Sequence, residues 1–359
     1  MAWVGARFGA PLELIVLRLP HFTFRRPASL DEACRILAGE GAAEGAPVRV
    51  VAGGTDLWPN LKRRQEAAAT VVSLMGIAGL DGIANGQGAR IGATTTLDRL
   101  AASPLLRARY PALADAAAGI STVALRNMGT LGGNLCLNTR CTYFGQGEEW
   151  RCSIDYCMKE KGDVCWVAPS SDRCWAISAS DAAPMLAALG ARVRLVSCGG
   201  ERAIPIAELY RDDGIEWLTK RPDEILAEVL LPAESAAAEA AAGASSTGAA
   251  PRCRTAFRKL RRRGSIDFAA LTVAAAVWTD GAGTVERASI WLGSVASSPL
   301  RVVNAETMLA GRRLDAEAVA EAARICRRAA TPLDNADFTA QWRSRMVEVW
   351  AADTLRACA

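Results

Sequence analysis

The chain has 359 residues, 51% of them hydrophobic and 22% charged, which allows two or three domains with ample cores and leaves no stretch apolar enough to span a membrane. Forty-two basic residues against 38 acidic ones give a formal net charge of +4, too balanced for the field of a nucleic-acid-binding surface; the basic run Arg258 to Arg263 also lacks the interleaved aromatics of a stacking platform. His21 is the only histidine, so Ser-His-Asp, Cys-His and histidine-rich metal chemistry are excluded and a cofactor must carry the reaction.

Glu13 and Arg18 interrupt the apolar run from Leu12 to Leu19, so residues 1–30 do not read as a signal peptide and a cytoplasmic location is expected. Residues 17–75 read as strand, helix, strand and short segments. An Asp31-led helix runs to about Gly39, and the apolar stretch Val48 to Ala52 reads as a buried strand ending in glycines. The motif Val51-Ala52-Gly53-Gly54-Thr55-Asp56-Leu57 therefore places paired glycines just after a strand, where missing Cβ atoms permit positive φ and let amides close on a phosphate. Asn85-Gly86 signals a turn before the strand Ala89 to Ala93; Gly86-Gln87-Gly88 belongs to that hairpin and to no phosphate loop. A helix is predicted next, leading to a second loop, Gly129-Thr130-Leu131-Gly132-Gly133-Asn134, which repeats the chemistry of the first. Neither loop fits G-x-G-x-x-G, which disfavours a Rossmann site without disfavouring a dinucleotide.

Six of the eleven cysteines follow directly, at Cys136, Cys141, Cys152, Cys157, Cys165 and Cys174, among Arg, Asp, Glu, Lys and Trp. Such surroundings do not read as a core face, and a cytoplasmic chain does not need disulfides. Their gaps of five, eleven, five, eight and nine are looser than the close pairs of structural zinc sites. An iron-sulfur cluster fits the spacing best, with zinc and plain burial left open. Cys34, Cys198, Cys253, Cys326 and Cys358 read as small buried hydrophobes. Residues 176–231 then alternate helix and strand, with Ala191 to Val196 in period two. Residues 233–251 are nearly all Ala, Ser, Gly and Glu and read as a linker or exposed loop. Beyond them Phe268 to Val277 and Ala288 to Leu292 read as strands and Ala316 to Ala330 as an amphipathic helix.

With these motifs in place, residues 17 to about 355 resemble the FAD-binding medium subunits of the xanthine dehydrogenase and carbon monoxide dehydrogenase group of molybdenum hydroxylases. The two glycine loops are similar to that family's FAD pyrophosphate signatures; Ser180-Asp181-Ala182-Ala183-Pro184, Pro232, Phe257-Arg258-Lys259 and Leu292-Gly293 with Pro299 and Arg301 extend the match. The resemblance implies an α+β fold. A two-part, PCMH-like FAD-binding domain would span 17–232, in subdomains of about 17–75 and 76–232, followed by a C-terminal α+β domain with a small antiparallel sheet over 252–355. It also implies that Gly53, Gly54, Thr55, Thr130, Gly132, Gly133 and Asn134 hold the pyrophosphate or adenine side of FAD, with Val51, Ala52, Asp56, Leu57 and Leu131 completing the loops. Asp181 would accept from ribityl or ribose hydroxyls, or simply cap a helix. Lys259 would meet phosphate or the flavin N1 charge, or lie in an exposed basic turn.

Ordinary members of the family join the second loop to the Asp181 region by a short segment; here about 135–175 are inserted. That insert resembles the one in the FAD subunit of 4-hydroxybenzoyl-CoA reductase, which carries an additional 4Fe-4S cluster. The resemblance places the ligands at Cys141, Cys157, Cys165 and Cys174 and leaves Cys136 and Cys152 as structural. It implies a subunit with no catalytic residue of its own, passing electrons from a ferredoxin-type donor through 4Fe-4S and FAD to a small 2Fe-2S subunit and a large molybdopterin subunit. There the phenolic hydroxyl of an aromatic thioester would be removed. The assembly implied is a dimer of heterotrimers, without nucleic acid or membrane. Two other readings stand beside it: the FAD subunit of an NAD-linked molybdenum hydroxylase, and a zinc-stabilised scaffold without redox work. Trp150, Trp166 and Trp175 would be unusual on a free surface: each taken singly reads as a core residue, with packing against the cluster or a neighbouring subunit as the other reading.

Overall fold

The computed structural model describes residues 17–41, 45–233 and 252–359, and shows a mixed α+β chain built on three sheets. The linker expected at 233–251 lies almost wholly outside the described residues. Strands β1 (Thr23–Arg25), β2 (Val48–Val51) and β3 (Thr70–Ser73) form a parallel sheet in the order β1-β3-β2. The helix Leu30–Leu37 joins β1 to β2, as the Asp31 signal predicts: the Ser29 side chain accepts from the Glu32 amide, and Asp31 and Glu32 complement the helix N-terminus. Its inner face, Ala33, Cys34 and Ile36, packs with Val72, Leu74 and Ile77 against Ile225 of the next sheet.

Strands β4 (Ile83–Asn85), β5 (Ala89–Gly92), β6 (Arg192–Ser197), β7 (Gly200–Pro205) and β8 (Ile225–Leu231) form an antiparallel sheet in the order β4-β5-β8-β6-β7. The Asn85-Gly86 turn makes the expected hairpin, with Asn85 opposite Ala89. Instead of the single helix expected between β5 and the second glycine loop, the chain makes three that enter the core, Leu97–Ala102, Pro104–Arg109 and Pro111–Ala118, and a fourth, Val123–Arg126, with no buried residue. Pro104 and Pro111 each open a new helix, since neither can continue the one before it. The first three helices and Ala182–Ala188 fill the core beneath the sheet.

Strands β9 (Arg252–Leu260), β10 (Leu271–Thr279), β11 (Val285–Gly293) and β12 (Leu300–Arg301) form the third sheet, antiparallel, in the order β12-β11-β10-β9. Strand β10 is buried on both faces, which is why its sequence is apolar without alternation. Ala274, Ala276 and Trp278 join the core of the second sheet. Val273, Ala275 and Val277 pack beneath the helices Ala316–Ala329 and Ala340–Arg356. No helix among the described residues is long and apolar enough to cross a membrane.

Arg343 is fully buried within this third unit. Its guanidinium donates to the carbonyls of Ala270 at 3.0 Å and Leu333 at 2.8 Å, to Asn335 Oδ1 at 3.2 Å and to the Ser294 carbonyl. Replacement by alanine leaves those acceptors dry. Arg343→Ala is expected to lower stability by about 3 kcal/mol, read as a lower urea midpoint at unchanged slope.

Candidate functional site

A cleft of about 900 Å³ opens between the end of β2 and Lys259 of β9, and of the fourteen cofactor residues expected from sequence, twelve line it: Val51, Ala52, Gly53, Gly54, Thr55, Asp56, Leu57, Thr130, Gly133, Asn134, Asp181 and Lys259. The first glycine loop follows β2 as predicted. Gly54 has φ +73°, and among the described residues the amides of Gly53, Gly54 and Thr55 take no hydrogen-bond partner. Successive free amides around one left-handed residue make an anion-binding concavity.

Gly53 is required for a different reason. Its φ is not positive; a Cβ there would overlap the backbone carbonyl of Met128, so only glycine lets the two loops touch. The second loop does not repeat the first. Leu131 and Gly132 face away from the cleft, their amides already donating to the carbonyls of Thr95 at 2.9 Å and Ala93 at 2.8 Å. Leu131 is buried in the core, and a Cβ on Gly132 would lie 2.8 Å from that of Ala93. The short helix Leu131–Leu135 is capped by the Thr130 hydroxyl, which accepts from the Gly133 amide at 3.1 Å. Asn134 Oδ1 accepts from Ser180 Oγ at 2.9 Å and from the Ala182 amide at 3.2 Å, binding this loop to the Asp181 segment.

Asp181 stands at the N-cap position of Ala182–Ala188 but makes no capping bond with its side chain. Its carboxylate meets Lys259 Nζ at 2.7 Å, and both side chains are buried. Lys259 thus lies on β9 inside the cleft, not in an exposed turn. Burial raises the Asp181 carboxyl above its ordinary value, with Lys259 and Arg261 opposing. The cleft's other walls were not legible in the sequence: Asn138, Arg140, Trp217 and Phe268 come from segments far apart in the chain. Arg140 pairs with Asp56 and lies 4.4 Å from the Phe268 ring centroid. Asn138 Oδ1, Arg140 Nε and Trp217 Nε1 are buried without a hydrogen-bond partner, as polar groups awaiting a ligand would be.

Beside the cleft stands the cysteine-rich insert. Its neck is an antiparallel bridge between Arg140 and Ile177, with both N–H···O distances 2.8 Å. The fully buried Arg151 fastens it: the guanidinium donates to Glu160 at 2.7 Å, to the Gln146 carbonyl at 2.7 Å, to Glu148, and to the Arg63 carbonyl at 3.2 Å, just past the helix Leu57–Lys62. Cys141, Cys157, Cys165 and Cys174 line one small cavity inside, with Tyr143, Phe144, Met158, Lys159, Trp166, Val167 and Ala176. Cys136 lines the large cleft instead, and Cys152 is exposed. Cys198, expected to be buried, is exposed as well.

Burial raises the Cys141 and Cys157 thiols and pushes Cys174 up to about 11. Amides aimed at the sulfurs oppose it: Tyr143 and Phe144 at Cys141, Lys159 at Cys157, and Ala176 at Cys174, where N···S is 3.5 Å. Asp155 and Tyr156, both near φ +59°, hold the chain in a strained turn just before Cys157. Among the described residues no three His, Cys, Asp or Glu side chains converge closely enough to hold a single ion. Trp166 lies at the cavity edge, partly exposed; Trp150 packs on Tyr143, and Trp175 lies beneath Arg173 at 3.6 Å. Burial lowers the Lys159 ammonium to about 8.

Comparison with known proteins places this architecture. Residues 20–234 match the FAD binding domain in molybdopterin dehydrogenase, and residues 255–357 match the CO dehydrogenase flavoprotein C-terminal domain. The carbon monoxide dehydrogenase medium chain of Afipia carboxidovorans is 27% identical over 329 residues, 91% of this chain and 93% of that one. The aldehyde oxidoreductase FAD-binding subunit PaoB of Escherichia coli is 31% identical over 301 residues, 80% and 86% of the two chains. The crystal structure of a cyanide-inactivated Cu,Mo-CO dehydrogenase shares the fold with a TM-score of 0.73 at 24% identity, over 95% of this chain and 98% of that chain. The chain therefore belongs to the FAD-binding medium subunits of the xanthine dehydrogenase and carbon monoxide dehydrogenase family of molybdenum hydroxylases.

Proposed function

We propose that this subunit carries a 4Fe-4S cluster beside its FAD and passes electrons between the cluster and partner subunits, in a molybdenum-containing aromatic acyl-CoA reductase resembling 4-hydroxybenzoyl-CoA reductase. One observation carries the reading: of the six cysteines in and before the insert, the four expected ligands line one cavity and the other two do not. The buried Cys157, Cys165 and Cys174 and the half-buried Cys141, three of the four facing backbone amides, suit thiolate ligands that lose their protons on metal binding.

The cleft fits FAD by its own chemistry. The free amides at Gly53–Thr55 suit the pyrophosphate, Thr130, Gly133 and Asn134 edge the same site, and the unpartnered Asn138, Arg140 and Trp217 atoms offer polar contacts farther along. Asp181 and Lys259 neutralise each other inside the cleft and leave donors and acceptors for hydroxyls or phosphate. Leu131 and Gly132 support the second loop by packing and do not touch the cofactor. FAD, when bound, supplies electron exchange in ones and twos. The residues of this chain hold it, exclude water and fix its distance from the insert. The domain limits proposed are 17–232 and 252–355, with the insert at about 135–175. A 2Fe-2S subunit, a molybdopterin subunit and a ferredoxin-type donor are the proposed partners, in a cytoplasmic dimer of heterotrimers.

A second reading draws on the relatives themselves, which are named as dehydrogenases of carbon monoxide, nicotinate and 6-hydroxypseudooxynicotine. On that reading electrons leave substrate and exit through this subunit, to nicotinamide in the NAD-linked case. Steady-state assays of the purified complex with a reduced ferredoxin and an aromatic thioester, against NAD and a heterocycle, separate the two.

Cys157→Ser and Cys165→Ser are each expected to remove most of the iron while leaving FAD bound, because the flavin is held by other loops; Cys152→Ser should keep its iron. Iron and flavin content of the purified complexes check this. Full iron in either of the first two variants would rule out the ligand set. At the cleft, Gly53→Ala should lower the flavin-to-protein ratio at least tenfold, since the new methyl forces the two loops apart. Gly281→Ala, in open space, should leave that ratio unchanged.

A further inference from the structure

A buried ammonium ordinarily lies against a carboxylate, because removing an unpaired charge from water is costly. Lys159, a half-buried residue whose ammonium is turned inward, departs from that pattern. Its Nζ donates to Thr139 Oγ1 at 2.7 Å and to the Gly214 carbonyl, and it lies 5.2 Å from the Phe144 ring centroid and 5.1 Å from that of Trp217. All of these partners are neutral. The nearby acids are engaged elsewhere: Glu148 and Glu160 with Arg151, and Glu66 with Arg49 at 3.1 Å and Asn138 at 2.7 Å. What Lys159 does face is the four-cysteine cavity, whose wall it forms. Its anchor, Gly214, is held there too, its amide donating to the Cys174 carbonyl at 2.9 Å. On the opposite side, Trp217 belongs to the lining of the flavin cleft.

We infer that Lys159 is a positioning residue whose ammonium charge compensates an anionic, thiolate-ligated cluster in this cavity and raises its reduction potential. The inference rests on the cluster reading above and deepens it. Reduction adds one electron, and so one negative charge, to the cluster; the ammonium keeps its protons and no bond is made or broken. A cation in a poorly solvated wall favours the more negative state. Trp217, whose ring lies 5.1 Å from Nζ, lines the flavin cleft, so the same charge also stands in the wall between that cleft and the cysteine cavity.

The test is a redox titration of the purified complex with dithionite, following the EPR signal of the reduced cluster, in the native protein and in Lys159→Met, Lys159→Gln and Lys159→Arg. The Met and Gln variants should retain flavin and lower the potential by at least 59 mV, a tenfold change in a one-electron equilibrium. The Arg variant should return it toward the native value. Iron-bearing Met and Gln variants with the native potential would overturn the inference and leave the cluster reading standing; a native protein without iron overturns both. Loss of iron in the Met and Gln variants but not in Arg supports a requirement for charge. Loss of iron in all three reduces Lys159 to packing and overturns it.

Discussion

The contact between Gly53 and the Met128 carbonyl is the constraint on which the site depends. Two backbones meet with no side chain between them, one leaving the parallel sheet and the other leading into the Leu131–Leu135 helix. That contact fixes where the free amides of the first loop point. It also sets Asp56 opposite Arg140, whose backbone forms the neck of the insert. A displacement at Gly53 would therefore be felt at the cysteine cavity through a single turn of chain and one ion pair.

Much of this arrangement was legible in the sequence because it depends on local chemistry. The apolar run before Gly53, the Asn85-Gly86 turn and the Asp31-led helix each carry their signal within a few residues, and the structure follows them. The cysteines gave the same kind of signal by number and surroundings. The misreadings arise where one motif permits two uses of the backbone. Gly132 resembles Gly53 in sequence, but its amide is already spent on Ala93, a partner nearly forty residues earlier that no local pattern reveals. Cys198 stands at the turn between β6 and β7 and is exposed, though cysteine is most often a buried residue type.

The residues missed altogether share one property: their roles come from tertiary approach. Arg140, Trp217 and Phe268 reach the cleft from the neck of the insert, from the loop before β8 and from the loop before β10. None carries a motif. Arg151 is similar, a charged residue on a short helix that would read as solvated, yet it is fully buried and ties the insert to the carbonyl of Arg63. Its burial depends on acceptors supplied by separate segments, and composition cannot report that.

Strand β10 has a further consequence. Since one of its faces completes the core of the second sheet and the other covers the C-terminal helices, the unit beyond residue 252 is no appendage. Expressed alone, it would present Ala274, Ala276, Trp278 and Trp291 as an open apolar face, and the remainder would lack the lid over Leu113 and Met185. A chain nicked by protease between 233 and 252 should therefore stay together as two tightly held fragments. The folded molecule depends on the packing between its halves through β10.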